Sequence, residues 1–231
     1  NKNVCAIKTP FVKVNTDDDE INKLFNREKS NYQKFDHPLL PKFFGVNESE
    51  KSIIIEYING DTLLNLIQKH LLNDNEKIQI IFEIMLMIRY FHDNGMLLRD
   101  LKPDNIMIDH NKTVVFIDFD RLVNIHDTNT TQEFSIIYSS PDFSKQSFTY
   151  STDIYLLGKI IYYIMIEKDP VKFNMNKFND FGENSTIKTI YEKCIKINPD
   201  KRPKIHEIID IFFNKYQSQI KIENIEKVCD I

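Results

Sequence analysis

The stretch LLRDLKPDNIMID, Leu97 to Asp109, sets Asp100, Lys102 and Asn105 at separations of two and three. No helix or strand face gathers residues so spaced, but a loop broken by Pro103 can turn them toward one point. Thirteen residues past Asn105, Asp118 lies near the end of the apolar run TVVFIDF and can bring a second carboxylate to the same place. An amide and a carboxylate facing one another supply hard oxygen ligands, which Mg²⁺ held against phosphates requires. A separate carboxylate can then orient and deprotonate a hydroxyl, while a lysine stabilises charge on the group being moved. These are the parts for phosphoryl transfer.

The rest of the chain must position that loop. VCAIK, Val4 to Lys8, is short and β-like. After the acidic link Asn15 to Glu20, the residues Ile21, Leu24, Phe25, Glu28, Tyr32 and Phe35 recur at helical spacing. Asp17 to Glu20 sit at the start of that helix as solvated capping charges. Pro38 and Pro41 break it, and a strand pair follows, closed by SIIIEYI, Ser52 to Ile58. Gly60 and Asp61 are expected to form a turn, and the pattern is then largely helical up to the opening stretch. TVVFIDF, Thr113 to Phe119, is a second β-like run; a polar loop spans Asp120 to Glu133, and a helical pattern follows Pro141. The expectation is an α+β chain in two lobes, a small strand-bearing front over residues 1–58 and a larger helical back over 59–231.

At 231 residues the chain can bury a large core, and 42% hydrophobic with 28% charged residues is ordinary for a globular protein. A formal net charge of -4 gives no footprint for nucleic acid or for an anionic membrane. Ile154 to Ile166, the most apolar run, is interrupted by Lys159 and falls short of the roughly 20 residues a bilayer span needs. It reads as a buried helix. Cys5, Cys194 and Cys229 are odd in number with no CxxC spacing, which predicts reduced thiols and a cytoplasmic setting.

In these motifs and their order the chain resembles a eukaryotic-type protein kinase domain. AIK resembles the strand whose lysine, here Lys8, holds the ATP phosphates, and Glu28 stands where the family's helix carries that lysine's partner. IIIEYING resembles the hinge, which makes Ile55 the gatekeeper and assigns adenine to the backbones of Glu56 and Ile58. LRDLKPDN, within a catalytic loop 98–105, resembles the loop in which Asp100 is the base, Lys102 the phosphate-directed lysine and Asn105 a magnesium ligand. DFD, Asp118 to Asp120, resembles the metal-binding motif and opens an activation segment 118–142. The resemblance further implies that Ala6 and Met107 sandwich adenine, that Ser135 touches Asp100 and Lys102, that Asp153 braces the catalytic loop, and that Arg202 pairs with Asp142. ATP and Mg²⁺ are the implied cofactors and a protein hydroxyl the implied substrate.

A lysine two residues after the base resembles serine/threonine kinases rather than tyrosine kinases. Arg99 resembles the arginine that can bind a phosphorylated activation loop. Thr128, Thr130 and Thr131 are either the acceptors of such a switch or plain polar loop residues.

The departures are specific. Leu98 replaces the family's histidine, where it would pack with Tyr32, Phe43 and Phe119. Asp120 replaces a glycine, removing a position free to take positive φ. Its carboxylate is expected to face solvent, with a role beside the cation as the lesser alternative. Asp142 stands for a glutamate. The five glycines make no Gly-rich loop, and only seven residues precede Lys8, so the first strands are expected to be missing from the given sequence or reduced. The leading reading is an active serine/threonine kinase. A pseudokinase acting as a binding module, and a small-molecule kinase of the aminoglycoside or choline type, are the alternatives.

Overall fold

The structure is a computed structural model that describes residues 4–10, 17–118, 120–127, 148–168, 181 and 185–221. Its front is a three-stranded antiparallel sheet with one helix. Strand β1, Cys5–Lys8, pairs with β3, Ser52–Glu56, which pairs in turn with β2, Phe43–Asn47. Along β1 the two-residue alternation leaves Cys5 and Ile7 exposed and half-buries Ala6 and Lys8, the latter opposite Ile53 in register.

Helix α1, Asp18–Lys34, begins at the N-cap Asp17, whose side chain accepts from the Glu20 N–H at 2.7 Å. The acids read as capping charges fill its first turn. Phe25, Glu28, Asn31 and Tyr32 form the buried stripe, so the helical period itself carries Glu28 toward the sheet.

The back is mainly helical: α2, Leu63–Gln68; α3, Asp74–Asp93; α4, Tyr150–Ile166; α5, Thr186–Cys194; and α6, Ile205–Tyr216. Helix α3 opens on a capping box between Asn73 and Glu76 and is buried over most of its length. Helix α4, the apolar run, is buried from Thr152 to Ile164 except at Tyr155, Lys159 included. Gly158 is required there, because a Cβ would lie 2.8 Å from Ile195 Cγ2 and 2.9 Å from Cys194 Cβ. α6 is amphipathic, with Ile205, Ile208, Ile209 and Phe212 buried and His206 exposed.

Two small sheets carry the loops. Strands β4, Gly60–Thr62; β6, Ile106–Asp109; and β7, Val114–Phe116 pair antiparallel in the order β4-β6-β7. Strand β5, Met96–Leu97, pairs with β8, Val123–Asn124. The turn expected at Gly60 and Asp61 is therefore the start of a strand. Gly60 crosses Ile108 so closely that a Cβ would stand 2.1 Å from the Ile108 carbonyl oxygen. That approach, which local sequence does not encode, draws the segment into β4. Among the described residues no helix is long and apolar enough to cross a membrane.

Candidate active site

The loop from Leu98 to Asn105 leaves β5 and is held from beneath by α4. Asp153, fully buried, accepts the Leu98 N–H on Oδ2 and the Arg99 N–H on Oδ1, both at 3.0 Å. His92 Nε2 lies 3.0 Å from the same Oδ2. Arg99 takes a φ of 64°, and the Asp100 N–H closes back on the Leu98 carbonyl at 2.7 Å. This tight bend presents Asp100. Pro103–Asn105 then form one 3₁₀ turn, and the Ile117 N–H donates to the Asn105 carbonyl at 3.1 Å, tying the loop to the segment that bears Asp118.

Asp100 Oδ2 accepts from Lys102 Nζ at 2.7 Å and from Asn105 Nδ2 at 3.1 Å. The Asn105 nitrogen also donates to the Asp100 carbonyl at 3.2 Å. No hydrogen bond reaches the Asn105 amide oxygen among the described residues, and that oxygen stays open to solvent.

Lys8 forms a close ion pair with Glu28 and donates to Asp118 Oδ1 at 2.7 Å and to the Ile117 carbonyl at 3.3 Å. Burial works against its ammonium, but Glu28 and Asp118 outweigh it and hold the pKa above the ordinary lysine value. Tyr32, one turn beyond Glu28, donates its hydroxyl to the same Ile117 carbonyl at 3.0 Å. Burial raises its pKa well above the usual phenol range, with Glu28 and Asp118 adding to the effect, so it remains a donor. Asn31 Nδ2 donates to the Leu122 carbonyl at 3.2 Å, so α1 grips the chain on both sides of Asp118.

Asp100, Asp118 and Asp120 each offer a carboxylate oxygen, and the three lie within 4.8 Å of one another. Asp120, expected to face solvent, is 31% exposed at its side chain and lies in the acid cluster, with Arg121 Nε 3.3 Å away. Its backbone N–H donates to Asp118 Oδ1 at 3.3 Å. Burial, then the charge of Asp118, raises its pKa above the ordinary carboxylate value.

A cavity of about 380 Å³ opens beside these groups. Ala6, Ile55, Ile58 and Met107 give it apolar walls and Glu56 also lines it, while Lys8, Asn105 and Asp118 supply its polar end. The expected site residues are therefore all gathered: those seven and Glu56 line the cavity, Glu28 joins through Lys8, and Asp100 and Lys102 join through Asn105.

Leu98 is 7% exposed within the core that contains Tyr32, with Phe43 packed against it. Phe119, Thr128, Thr130, Thr131, Ser135 and Asp142 lie outside the described residues. Arg202 donates to the carbonyls of Lys196, Ser151 and Ile197 and stacks on Tyr155 at 4.9 Å. Arg99 stacks on Phe148 at 4.2 Å, and burial, then the charges of Arg27 and Arg121, lowers its pKa to about 10.

Sequence reasoning did not find His92, Asn31 or a hydrogen-bonding role for Tyr32. The readable signal for the last two was their place three and four residues after Glu28, on its own helix face.

Over residues 1–213 the chain matches the family model for the protein kinase domain, and it belongs to that family. It is 28% identical to a probable serine/threonine-protein kinase of Dictyostelium discoideum, over 89% of this chain and 38% of that protein. It is 29% identical to the serine/threonine-protein kinase PrkC of Bacillus subtilis, over 66% of this chain and 25% of PrkC. To an Aurora kinase of Debaryomyces hansenii it is 26% identical, over 84% of this chain and 47% of that protein. The chain thus spans less than half the length of each of these relatives.

Proposed function

We propose that this chain is a serine/threonine protein kinase that transfers the ATP γ-phosphoryl group to protein hydroxyls. The observation that carries the reading is the meeting of two sets at one cavity: Lys8 with Glu28 and Asp118, and Asp100 with Lys102 and Asn105. Chemistry of this class depends on positioning and electrostatics, and both sets supply them. The lobes divide as residues 1–58 and 59–231, with the catalytic loop at 98–105 and the activation segment at 118–142. The relatives' names support the serine/threonine assignment, and free Cys5 and Cys194 fit a reducing cytoplasm.

The residues present fit the cofactors. The Asn105 amide oxygen, which takes no hydrogen bond among the described residues, and the Asp118 carboxylate form a hard oxygen pair suited to Mg²⁺, and the apolar walls suit an adenine. Bound Mg-ATP supplies the phosphoryl group and the charge that neutralises its oxygens. Lys8 has three ammonium hydrogens, so with Glu28 holding it in place it can turn one toward the α- and β-phosphates. Ala6 and Met107 enclose the base, and Ile55 sets the depth of the pocket. The Glu56 N–H already donates to the Lys42 carbonyl at 2.8 Å, so its contact with adenine runs through its own carbonyl, with Ile58 donating beside it.

Asp100 orients the incoming serine or threonine hydroxyl and takes its proton as the oxygen attacks. Lys102, already beside Asp100, neutralises charge on the phosphoryl in flight. The alternative of a nucleotide-binding pseudokinase draws on Asp120 standing where the family has glycine.

The test is incubation with γ-labelled Mg-ATP and a generic basic protein, followed by phosphoamino-acid analysis. Label on serine and threonine is expected. Binding of an ATP analogue with no transfer would replace the reading with the pseudokinase, and label on an aminoglycoside or choline alone would replace it with a small-molecule kinase.

A further inference from the structure

We infer that Tyr32 is a positioning residue for Asp118: its hydroxyl keeps hold of the Ile117 carbonyl, and so keeps Asp118 aimed, when Lys8 turns a donor toward nucleotide phosphates. The inference rests on the nucleotide and metal reading of the cavity above.

Lys8 has three ammonium hydrogens and three acceptors, which are Glu28, Asp118 Oδ1 at 2.7 Å and the Ile117 carbonyl at 3.3 Å. A phosphate oxygen arriving beside Lys8 must displace one of them. The two carboxylates are charged and close, and hydrogen bonds between ionised groups are about twice as strong as neutral ones. The longer bond, to the neutral carbonyl, is the one that yields.

That carbonyl is not then left bare. Tyr32 Oη donates to it at 3.0 Å, from a side chain only 3% exposed. The ring is part of the packed core, so the hydroxyl stays in place whatever Lys8 does.

The aim of Asp118 follows from the peptide. The Ile117–Asp118 peptide is planar, so fixing its oxygen fixes the plane that leads into the Asp118 Cα. The other side of Ile117 is held as well, its N–H donating to the Asn105 carbonyl at 3.1 Å. Asn31, the buried neighbour of Tyr32 on α1, donates to the Leu122 carbonyl at 3.2 Å, beyond Asp118. Asn105 and Asp118, the oxygen pair proposed for Mg²⁺, are thereby tied through Ile117 to α1. Removing a group that orients a metal ligand typically costs about 10- to 100-fold in metal affinity or activity.

Tyr32→Phe removes the hydroxyl and keeps the ring. Phosphotransfer to a basic protein and binding of a fluorescent ATP analogue are measured for wild type and variant across a Mg²⁺ titration. The variant is expected to need about tenfold more Mg²⁺ for half-maximal rate and to lose about tenfold in kcat, while its KM for ATP at saturating Mg²⁺ changes by less than about twofold. Without nucleotide Lys8 still holds the carbonyl, so the thermal midpoint should stay within about 2 °C of wild type. Tyr32→Phe combined with Lys8→Met strips both donors, and the double variant should lose more in thermal midpoint than the two single variants together.

A lower thermal midpoint in Tyr32→Phe with unchanged Mg²⁺ dependence and kcat would make the hydroxyl merely structural, and would overturn the inference while the proposed function stands. Wild-type behaviour in every measurement would do the same. If wild type transfers no phosphate, the proposed function fails, and the Mg²⁺ dependence of analogue binding decides separately: a shift in Tyr32→Phe upholds the positioning role, and no shift removes it. A wild type that binds no analogue at any Mg²⁺ concentration overturns both.

Discussion

The Arg99 backbone N–H donates to Asp153 Oδ1 at 3.0 Å, and Arg99 holds a φ of 64°. A left-handed arginine is disfavoured by about 1–2 kcal/mol, so this bend persists only because something anchors it. Asp153 is that anchor, taking Leu98 on its other oxygen and His92 beside it. The aim of Asp100 thus depends on a carboxylate in a helix 53 residues further along the chain.

Replacing Asp153 with asparagine puts an N–H₂ against one of two buried N–H donors. The cost is about 1–3 kcal/mol for the stranded donor, seen as a fall of roughly 2–10 °C in thermal midpoint. Phosphotransfer is expected to fall by more than about tenfold, because the catalytic loop loses its fixed geometry. A variant unchanged in both melting and transfer would show that the bend holds without this anchor.

Gly60→Ala tests the close crossing of β4 and β6. The new Cβ would meet the Ile108 carbonyl oxygen at 2.1 Å, and that oxygen is backbone and has no rotamer to escape by. A loss of about 2–3 kcal/mol is expected, together with weaker binding of an ATP analogue, since Gly60 lines the cavity. Melting and analogue titration report the two effects separately, and a wild-type result in both would contradict the crossing.

His37 makes stability sensitive to acid. It is buried, accepts the Leu39 N–H on Nδ1 at 3.1 Å, and stacks with Tyr90. Burial, then the charge of Arg89, lowers its pKa to about 4 from 6.5. Above pH 6.5 neither folded nor unfolded chain is protonated there. Between 6.5 and about 4 the unfolded chain takes the proton and the folded chain does not, so stability falls as pH falls, and the loss is complete below 4. His37→Asn can accept the same N–H without titrating. The difference in thermal midpoint between wild type and variant should therefore change across pH 6.5 to 4, and a constant difference would remove His37 from the account.

The candidate site was largely legible because chemistry restricts it. Asp100, Lys102 and Asn105 could be read from residue type and spacing, and Lys8 and Glu28 from the resemblance to the kinase family. What escaped was decided by tertiary approach. Nothing local tells that Gly60 will pair with Asp109, that His92 will meet Asp153, or that Tyr32 and Lys8 will share the Ile117 carbonyl. The place of Asp120 beside Asp100 and Asp118 was not legible for the same reason. A carboxylate after a strand end can face either way, and its neighbours, Asp100 among them, settle the direction.

The central claim is that Asp100 performs the proton step while Lys8 holds the nucleotide. Phosphotransfer from Mg-ATP to a basic protein, measured for wild type, Asp100→Asn and Lys8→Met, tests it most directly. Both variants should lose about a hundredfold or more in rate, with Asp100→Asn keeping its affinity for an ATP analogue and Lys8→Met losing part of it. Robust transfer that survives both substitutions would contradict the account.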